Sequence, residues 1–266
     1  MTKTNQKRNT SKPGKTAKKE KMSAASTGIT AKRFVERLKA ISSVAELRKI
    51  QQYFKSGEGE YGEGDVFMGV RMGQVFALAK EFNEMPASEI EKLLESPLHE
   101  ARVGGVSIMD FQVRGKKTTE SKKKEVFDLY IKRHDRINNW DLVDRAAPYV
   151  VGGYLFDKPR NVLYKLAGSK NIWERRTAIV STAYFIRQGD VADTFKIAEM
   201  LLDDDHDLIH KAFGGWLREA GKKDRQRLLN FLDKYAATMP RTALRYAIER
   251  FDKKQRDHYL SMKKAG

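Results

Sequence analysis

The chain has 266 residues, enough for one large domain or two small ones, and 40% of them are hydrophobic, so it can bury a sizeable core. Its 52 basic and 35 acidic side chains give a formal net charge of +17, which favours a polyanionic partner, with nucleic acid as the first candidate. The absence of cysteine excludes disulfides, thiol catalysis and zinc sites built on thiolates. The longest apolar runs, near residues 147–156 and 177–186, reach only about ten residues, half of what a membrane span needs. Because no apolar segment follows the basic N-terminus, no secretory signal is expected, and the sequence predicts a soluble, intracellular protein.

Residues 1–28 differ in composition from the rest of the chain. They contain no Leu, Val, Ile, Phe, Tyr or Trp, and they carry eight basic residues against one acid, Glu20. Such a segment buries too little apolar surface to offset the entropy of ordering, which predicts a disordered basic N-terminal arm. The arm either raises non-specific affinity for DNA through counterion release or serves as a solubilising tail. The remaining chain, residues 29–266, still carries +10 and is predicted to form a single domain.

From residue 30 onward the apolar pattern is helical. Apolar residues share one helical face at positions 34, 35, 38 and 41, and then at 44, 47, 50 and 54. Residues 56–65 contain four glycines and three glutamates, which predicts a flexible acidic loop. Helical spacing returns over residues 75–82 and, after Pro86, over residues 90–94. No convincing run alternates apolar and polar residues, so the sequence predicts an all-α fold.

The short helices come in pairs that resemble one another. In each predicted pair the first helix ends in apolar residues, a polar turn follows, and the first turn of the second helix carries a charged residue. These charged residues are Arg102, Asp144, Arg176, Lys211 and Arg245. Their successive spacings of 42, 32, 35 and 34 residues lie in the range of HEAT-like helical pairs. The pattern predicts a right-handed solenoid whose second helices line a concave, mostly basic groove.

Asp144 is the one acidic residue in this series. A carboxylate weakens the binding of phosphates, so Asp144 is predicted to have another task than its basic counterparts. Trp140 lies four residues earlier and therefore on the same helical face. An indole face can hold a cationic or sugar surface beside that carboxylate. The alternative is that Trp140 belongs to the core and Asp144 is a salt-bridge partner of a neighbouring arginine.

Four long strings of the sequence carry a family resemblance. They are NNWDLVDRAAPYVVGGYL, KNIWERRTAIVST, LIHKAFGGWLREAGKKD and MPRTALRYAIE. They resemble the AlkD-type DNA alkylation repair enzymes, a family of HEAT-like-repeat DNA glycosylases, and the resemblance extends over about residues 31–260. It implies that Asp144 is the catalytic carboxylate, that Trp140 is a lesion-side tryptophan and that Arg176 is the groove arginine.

The chain departs from the family pattern at a second tryptophan. The family motif G-W-x-L-R-E aligns its tryptophan with Gly215, whereas this chain has Trp216 one residue later, about 100° around the helix. Trp216 either turns toward the groove as a lesion-side aromatic residue or belongs to the core. The adjacent glycines, Gly214 and Gly215, suit a close approach of either DNA backbone or the next helix.

The resemblance also implies a function. The enzyme would excise cationic N3- or N7-alkylated purines, such as 3-methyladenine and 7-methylguanine, from double-stranded DNA by hydrolysing the N-glycosidic bond without base flipping. Arg176, Arg102, Lys211 and Arg245 would bind the DNA backbone. The expected protein is a cytoplasmic, nucleoid-associated monomer of bacterial type that needs no metal or cofactor. The alternatives are a non-catalytic solenoid that binds damaged, bent or branched DNA, and a protein-binding scaffold.

The remaining polar clusters are interpreted without a catalytic role. The acidic stretches 58–65 and 203–207 are expected to be a solvated loop and a helix start. The histidines show no metal-binding pattern and are expected at the surface or in turns. They are His99, His134, His206, His210 and His258.

Overall fold

A computed structural model describes residue 1, residues 28–54, residue 57 and residues 60–262. Within these ranges regular secondary structure is helical, apart from an isolated parallel bridge between Val66 and Leu98. The predicted all-α fold is confirmed. The predicted basic arm lies outside the described residues except at its two ends, so the division into an arm and one domain stays a prediction.

The helices are numbered in chain order. They are α1 (Ala31–Ala40), α2 (Val44–Phe54), α3 (Met72–Glu81), α4 (Ala87–Glu95), α5 (His99–Arg114), α6 (Glu120–Lys132), α7 (Trp140–Ala147), α8 (Asn161–Ala167), α9 (Ile172–Arg187), α10 (Ala192–Met200), α11 (Asp207–Gly221), α12 (Arg225–Tyr235), α13 (Arg241–Ala247) and α14 (Lys253–Ser261). A 3₁₀ turn, His134–Arg136, precedes α7. A π-helical turn, Pro148–Gly152, and a short helical segment, Gly153–Leu155, continue α7 without a break.

Asparagine side chains set the start of two helices that matter for the site. The side chain of Asn139 accepts a hydrogen bond from the backbone N–H of Trp140, at 2.8 Å, where α7 begins. Asn171 does the same for the N–H of Trp173, at 2.9 Å, at the start of α9. Each side chain satisfies one of the backbone donors that a helix leaves unpaired at its N-terminus. These caps fix where the first turns of α7 and α9 lie.

Helices α3 to α13 pack in two layers. Layer B consists of α3, α5, α7, α9, α11 and α13, and each of these contacts the next one in the series. Layer A contains α4, α6, α8, α10 and α12, which pack against layer B from one helix to the next along the chain. The five charged residues that the repeat pattern selected all lie in the fourth or fifth position of a layer B helix. This stacking is what helical pairs require, and the assignment to a right-handed HEAT-like solenoid with a basic groove stays a prediction.

Gly214 marks a close contact between two layer B helices. A Cβ atom at Gly214 would overlap the backbone carbonyl oxygen of Ala243, so the glycine lets α13 approach the backbone of α11. At Gly215 a Cβ atom would meet nothing nearer than Cδ1 of Tyr246, at 4.0 Å. The approaching object at Gly214 is therefore the next helix, whereas Gly215 borders open space.

None of the described helices combines the length and the apolar character that crossing a membrane requires.

Candidate functional site

Trp140 and Asp144 lie one helical turn apart near the start of α7. The Asp144 side chain is 39% exposed, and Trp140 is half-buried. Helix α7 packs between α5 and α9 in layer B, so both side chains are presented beside the N-terminal turns of neighbouring helices. The carboxylate is thus accessible from solvent while its backbone is held by packing on two sides.

Asp144 forms a bidentate ion pair with Arg176 of α9. Nε of Arg176 donates to Oδ1 of Asp144 at 2.9 Å, and a terminal nitrogen donates to Oδ2 at 2.7 Å. The remaining nitrogen donates to the backbone carbonyl of Leu208 at 2.8 Å, where α11 begins. The Arg176 side chain is only 10% exposed. The geometry makes Arg176 a clamp that orients the carboxylate, because all three of its nitrogens already bind protein acceptors.

One side of Trp140 packs against aromatic residues from α2. Phe54 stacks on the indole with ring centroids 5.7 Å apart and an interplanar angle of 19°, and Tyr53 meets it edge-on at 6.0 Å. Phe54 is buried, but Tyr53 is 65% exposed. Trp140 is therefore anchored at the margin of the core rather than within it.

Two clefts adjoin this group of side chains. The Trp216 cleft has a volume of about 440 Å³, and its wall includes Tyr53, Trp140, Asp144, Arg176, Gly215 and Trp216. The Phe76 cleft has a volume of about 670 Å³, and its wall includes Tyr53, Phe54, Phe76, Trp140, Asp144 and Arg145. Trp140 and Asp144 form part of both walls, so the carboxylate lies between two spaces that are open to solvent.

Trp216 is only partly buried and lies on the cleft that also holds Asp144 and Trp140. Trp216 also packs against the hydrophobic core. It therefore contacts the core and borders the cleft, the two alternatives that the sequence left open. Because Gly215 has no side chain, it leaves open space beside Trp216 on the same wall.

The predicted backbone-binding residues differ in how accessible they are. Arg245 is exposed and forms no ion pair within the part of the chain that the structure describes. Lys211 is 43% exposed and pairs with Asp207 one turn earlier at 2.6 Å, and this hydrogen bond raises its pKa. The prediction that Arg102 binds the DNA backbone is wrong, because its side chain is only 3% exposed and forms an ion pair with the buried Asp65. A guanidinium in that position faces protein and leaves no room for a DNA phosphate.

A buried polar network holds the start of α7 against α5. Nε2 of His99 lies 2.8 Å from Oδ2 of Asp141, and its Nδ1 lies 3.4 Å from Oδ2 of Asp65. The side-chain amide of Asn139 donates to Asp65 at 2.8 Å. Burial disfavours the charged imidazolium, but the carboxylates of Asp141 and Asp65 outweigh it and raise the pKa of His99 to about 9. The network connects the residues on both sides of Trp140 to α5.

Two sequence interpretations change with this network. His99 is buried at the start of α5, neither at the surface nor in a turn as expected. His134 lies in a turn, as one of the two expectations has it, but it is buried and contacts the hydroxyl of Thr177 at 2.8 Å. Burial lowers the pKa of His134. The sequence places Asp65 in an acidic loop that is expected to be solvated, yet its side chain is only 4% exposed. Charge pattern alone could not separate Asp65 from its neighbours, because its partners are 34 or more positions away in sequence.

Among the described residues, no three His, Cys, Asp or Glu side chains come together in a way that could hold a metal ion. Asp144, its partner Arg176 and the indole of Trp140 lie together on the wall of the Trp216 cleft.

Comparison with known proteins identifies the family. Residues 34–251 match the family model described as "DNA alkylation repair enzyme". The chain belongs to the DNA alkylation repair enzyme family. A solved structure of a predicted DNA alkylation repair enzyme from Enterococcus faecalis superposes with a TM-score of 0.63 at 16% identity, covering 80% of this chain and 97% of that one. At that identity the likeness concerns the fold. No curated protein sequence matches the chain. Membership of the DNA alkylation repair enzyme family indicates a role in DNA repair with DNA as the substrate.

Sequence reasoning about this DNA alkylation repair enzyme missed Tyr53 and Phe54. Both belong to the apolar helical pattern that ends just before the glycine-rich loop. Two adjacent aromatic residues at the end of a helix indicate that another side chain packs against them, but the sequence does not indicate which distant residue that is. The contact with Trp140 joins positions that are 86 residues apart in sequence.

Proposed function

We propose that this protein is a DNA glycosylase that excises cationic N3- or N7-alkylated purines from duplex DNA. It hydrolyses the N-glycosidic bond without flipping the base and so starts base excision repair. The observation that carries the proposal is the Asp144 carboxylate, which is accessible, clamped by Arg176 and flanked by Trp140 on the wall of two clefts.

The chemistry needs few groups. An alkylated purine carries a positive charge and is already a good leaving group, so acid catalysis is dispensable and a second carboxylate is not required. As the bond breaks, the deoxyribose gains oxocarbenium character. The Asp144 carboxylate stabilises that positive charge and orients or deprotonates the attacking water. The fixed orientation that Arg176 imposes keeps this carboxylate in place before the substrate arrives.

Aromatic side chains contact the sugar and the damaged base. Trp140 packs against the sugar and stabilises its growing charge through the indole face. Trp216 supplies a lesion-side aromatic surface from another helix on the wall of the Trp216 cleft. The cleft volume of about 440 Å³ falls within the range of about 300–1,000 Å³ that is usual for small-ligand sites.

The duplex lies against layer B, whose stacked pairs we interpret as a HEAT-like solenoid with a basic concave surface. Arg245 is free to bind a phosphate, and Lys211 is half-exposed beside it on the next helix. The protein acts as a monomer in the cytoplasm and needs no cofactor. Lesion charge and weakened stacking provide the specificity, so neutral lesions such as uracil are poor substrates.

The test is the release of free bases from methylated duplex DNA. Wild type is expected to release 3-methyladenine and 7-methylguanine, and Asp144→Asn is expected to lose this release while it keeps its DNA affinity. Asp135→Asn is the matched control, since Asp135 is a 61% exposed carboxylate paired with Arg133 and forms no part of either cleft. Equal release by wild type and Asp144→Asn would contradict the role of Asp144. Efficient release of uracil would contradict the specificity.

A second candidate function is non-catalytic binding of damaged or bent DNA. The observations that favour it are the pairing of Asp144 with Arg176 and the glycine at position 215. It predicts tight binding of methylated DNA with no base release from wild type, which the same assay detects.

A further inference from the structure

A row of guanidinium groups leads away from the Phe76 cleft. Arg145 lies on the wall of that cleft, and its guanidinium packs over the rings of Phe76 and Phe111, 4.8 Å from each centroid. It pairs with Asp110 of α5 at 2.8 Å. The same carboxylate oxygen accepts a hydrogen bond from Arg114 at 3.2 Å. Arg145 and Arg114 are thus linked through one side chain.

The row continues across a tyrosine ring. The guanidinium of Arg114 lies 4.3 Å from the ring centroid of Tyr149, and that of Arg187 lies 5.1 Å from the same centroid. Tyr149 belongs to the π-helical turn after α7, whereas Arg114 and Arg187 end α5 and α9. Three successive layer B elements therefore bring two arginines onto one aromatic platform.

The exposed part of this row is cationic. The Asp110 side chain is only 1% exposed, because it lies beneath the arginines that it pairs with. The Arg114 side chain is 45% exposed, and Arg187 is exposed with no ion pair among the residues that the structure describes. A guanidinium that stacks on a ring keeps the N–H groups at its edge free for a phosphate oxygen. These positions differ from Arg176 and Arg102, whose side chains are only 10% and 3% exposed.

The spacing fits a nucleic-acid strand. Arg187 follows Arg176 by eleven residues in α9, which is close to three full helical turns, so both lie on one face about 16 Å apart along the axis. Along a duplex axis parallel to α9, that length corresponds to about five base-pair steps of 3.4 Å. Since Arg145 borders the cleft of Asp144, the row is continuous with the candidate site.

We propose that Arg114 and Arg187, aligned on Tyr149, bind backbone phosphates of the duplex about five nucleotides from the lesion. Arg145 connects this phosphate-binding platform to the cleft. The inference rests on the proposed duplex-binding function and specifies where the duplex is held. The contacts carry no sequence information, so the platform strengthens binding to damaged and undamaged DNA alike.

The experiment measures how the affinity of the full chain for an undamaged duplex depends on salt. A plot of log K against log salt has a negative slope, and each phosphate contact that is lost makes this slope shallower by about 0.9. Arg187→Gln is expected to make it shallower by about that amount, and Arg114→Gln with Arg187→Gln by about twice as much. Lys196→Gln is the matched control, because Lys196 also lies over a tyrosine ring, Tyr164 at 4.2 Å, but belongs to layer A. It is expected to leave the slope unchanged.

A strand-scanning measurement locates the contact. Replacing single phosphates by neutral methylphosphonates is expected to weaken wild-type binding at positions about five nucleotides from the lesion. The same replacements are expected to have a smaller effect in Arg187→Gln and no effect in the double variant Arg114→Gln with Arg187→Gln. Because Arg187 has no ion pair among the described residues, this variant tests the platform even if Arg114→Gln disturbs Asp110.

The outcomes separate this inference from the proposed function. An unchanged slope in the double variant, with excision intact, would overturn the platform and leave the glycosylase standing. A shallower slope in a protein that releases no base would support the platform and contradict the glycosylase. Single-turnover excision is expected to be unchanged in the control variant Lys196→Gln.

Discussion

Asp144 and Arg176 come from different helices, and their contact determines how the candidate carboxylate can act. A bidentate guanidinium fixes both the position and the plane of a carboxylate. One terminal nitrogen of the same guanidinium is held by the carbonyl of Leu208, so its freedom to move is small. The sequence assigned Arg176 to phosphate binding, and its geometry fits a positioning residue better.

Arg176→Lys tests this positioning role. A lysine keeps the positive charge but cannot form the two parallel hydrogen bonds to Asp144, so the carboxylate loses its fixed orientation. The single-turnover excision rate is expected to fall by about tenfold or more, since small misplacements of catalytic groups are costly. Affinity for undamaged duplex and its salt dependence are expected to change little. A shallower salt slope with an unchanged rate would instead indicate that Arg176 contacts phosphate.

Which residues were predictable from the sequence depends on how far away their partners lie. Trp140 and Asp144 share a helical face through local spacing, and the structure has them one turn apart. Arg102 has the same position in its repeat as Arg176 and Lys211, but its burial depends on Asp65, which is 37 residues away. A repeat pattern predicts the position of a residue in its helix, and it carries no information on which charge from another segment will pair with it.

At the scale of helices, the contact between α11 and α13 depends on Gly214. Gly214→Ala is expected to destabilise the fold by about 1–3 kcal/mol, because its Cβ atom would overlap the backbone of Ala243 and force the helices apart. Gly215→Ala is the internal control. The nearest atom to its Cβ is 4.0 Å away, so this change is expected to stabilise the fold by about 0.5–1 kcal/mol through helix propensity. Denaturant unfolding of both variants measures the difference, and equal effects would contradict the close approach.

The network of His99 makes the packing of α7 on α5 dependent on pH. The folded pKa of about 9 lies above the usual value of 6.5, so the stabilisation is complete below pH 6.5 and is lost as the pH rises through 9. The free energy of unfolding is expected to fall by at most about 3 kcal/mol across this window. His134 has a lowered pKa, so its contribution changes below pH 6.5 instead.

Thermal unfolding between pH 6 and pH 10 measures this effect. His99→Gln is expected to flatten the pH dependence between 6.5 and 9, and Asp141→Asn is expected to reduce it. A wild-type stability that stays constant through this window would contradict the assignment of a charged imidazolium.

Helical periodicity was sufficient to predict that the chain is helical, because the apolar face of a helix depends on residues three or four positions apart in the sequence. The pairing of first and second helices is a prediction from the repeat pattern, and in the structure helices of layers A and B alternate along the chain. The π-helical turn Pro148–Gly152 was not predicted, because the i to i+5 pattern leaves no distinct periodicity in so short a stretch.

At the scale of the whole molecule, the net charge of +17 is the feature on which the expected affinity for DNA depends. Removing residues 1–28 deletes eight basic side chains and one acidic side chain. Affinity for undamaged DNA is expected to fall. The negative slope of log K against log salt is expected to become shallower by several units, since each neutralised phosphate contributes about 0.9. The unfolding midpoint is expected to stay almost unchanged. A chain of full length in which the eight basic residues are replaced by serine should behave like the truncated one, and a marked drop in the midpoint would show that the segment is structural.

The clamp on Asp144 joins three consecutive stacked units. The carboxylate belongs to α7, its partner Arg176 to α9, and the carbonyl of Leu208 that holds the partner to α11. Helix α7 transplanted alone into another scaffold would carry the acid and the indole but lose the orientation of both. A segment of this protein that is moved to another scaffold will therefore keep the carboxylate oriented only when it includes α7 through α11 as one unit.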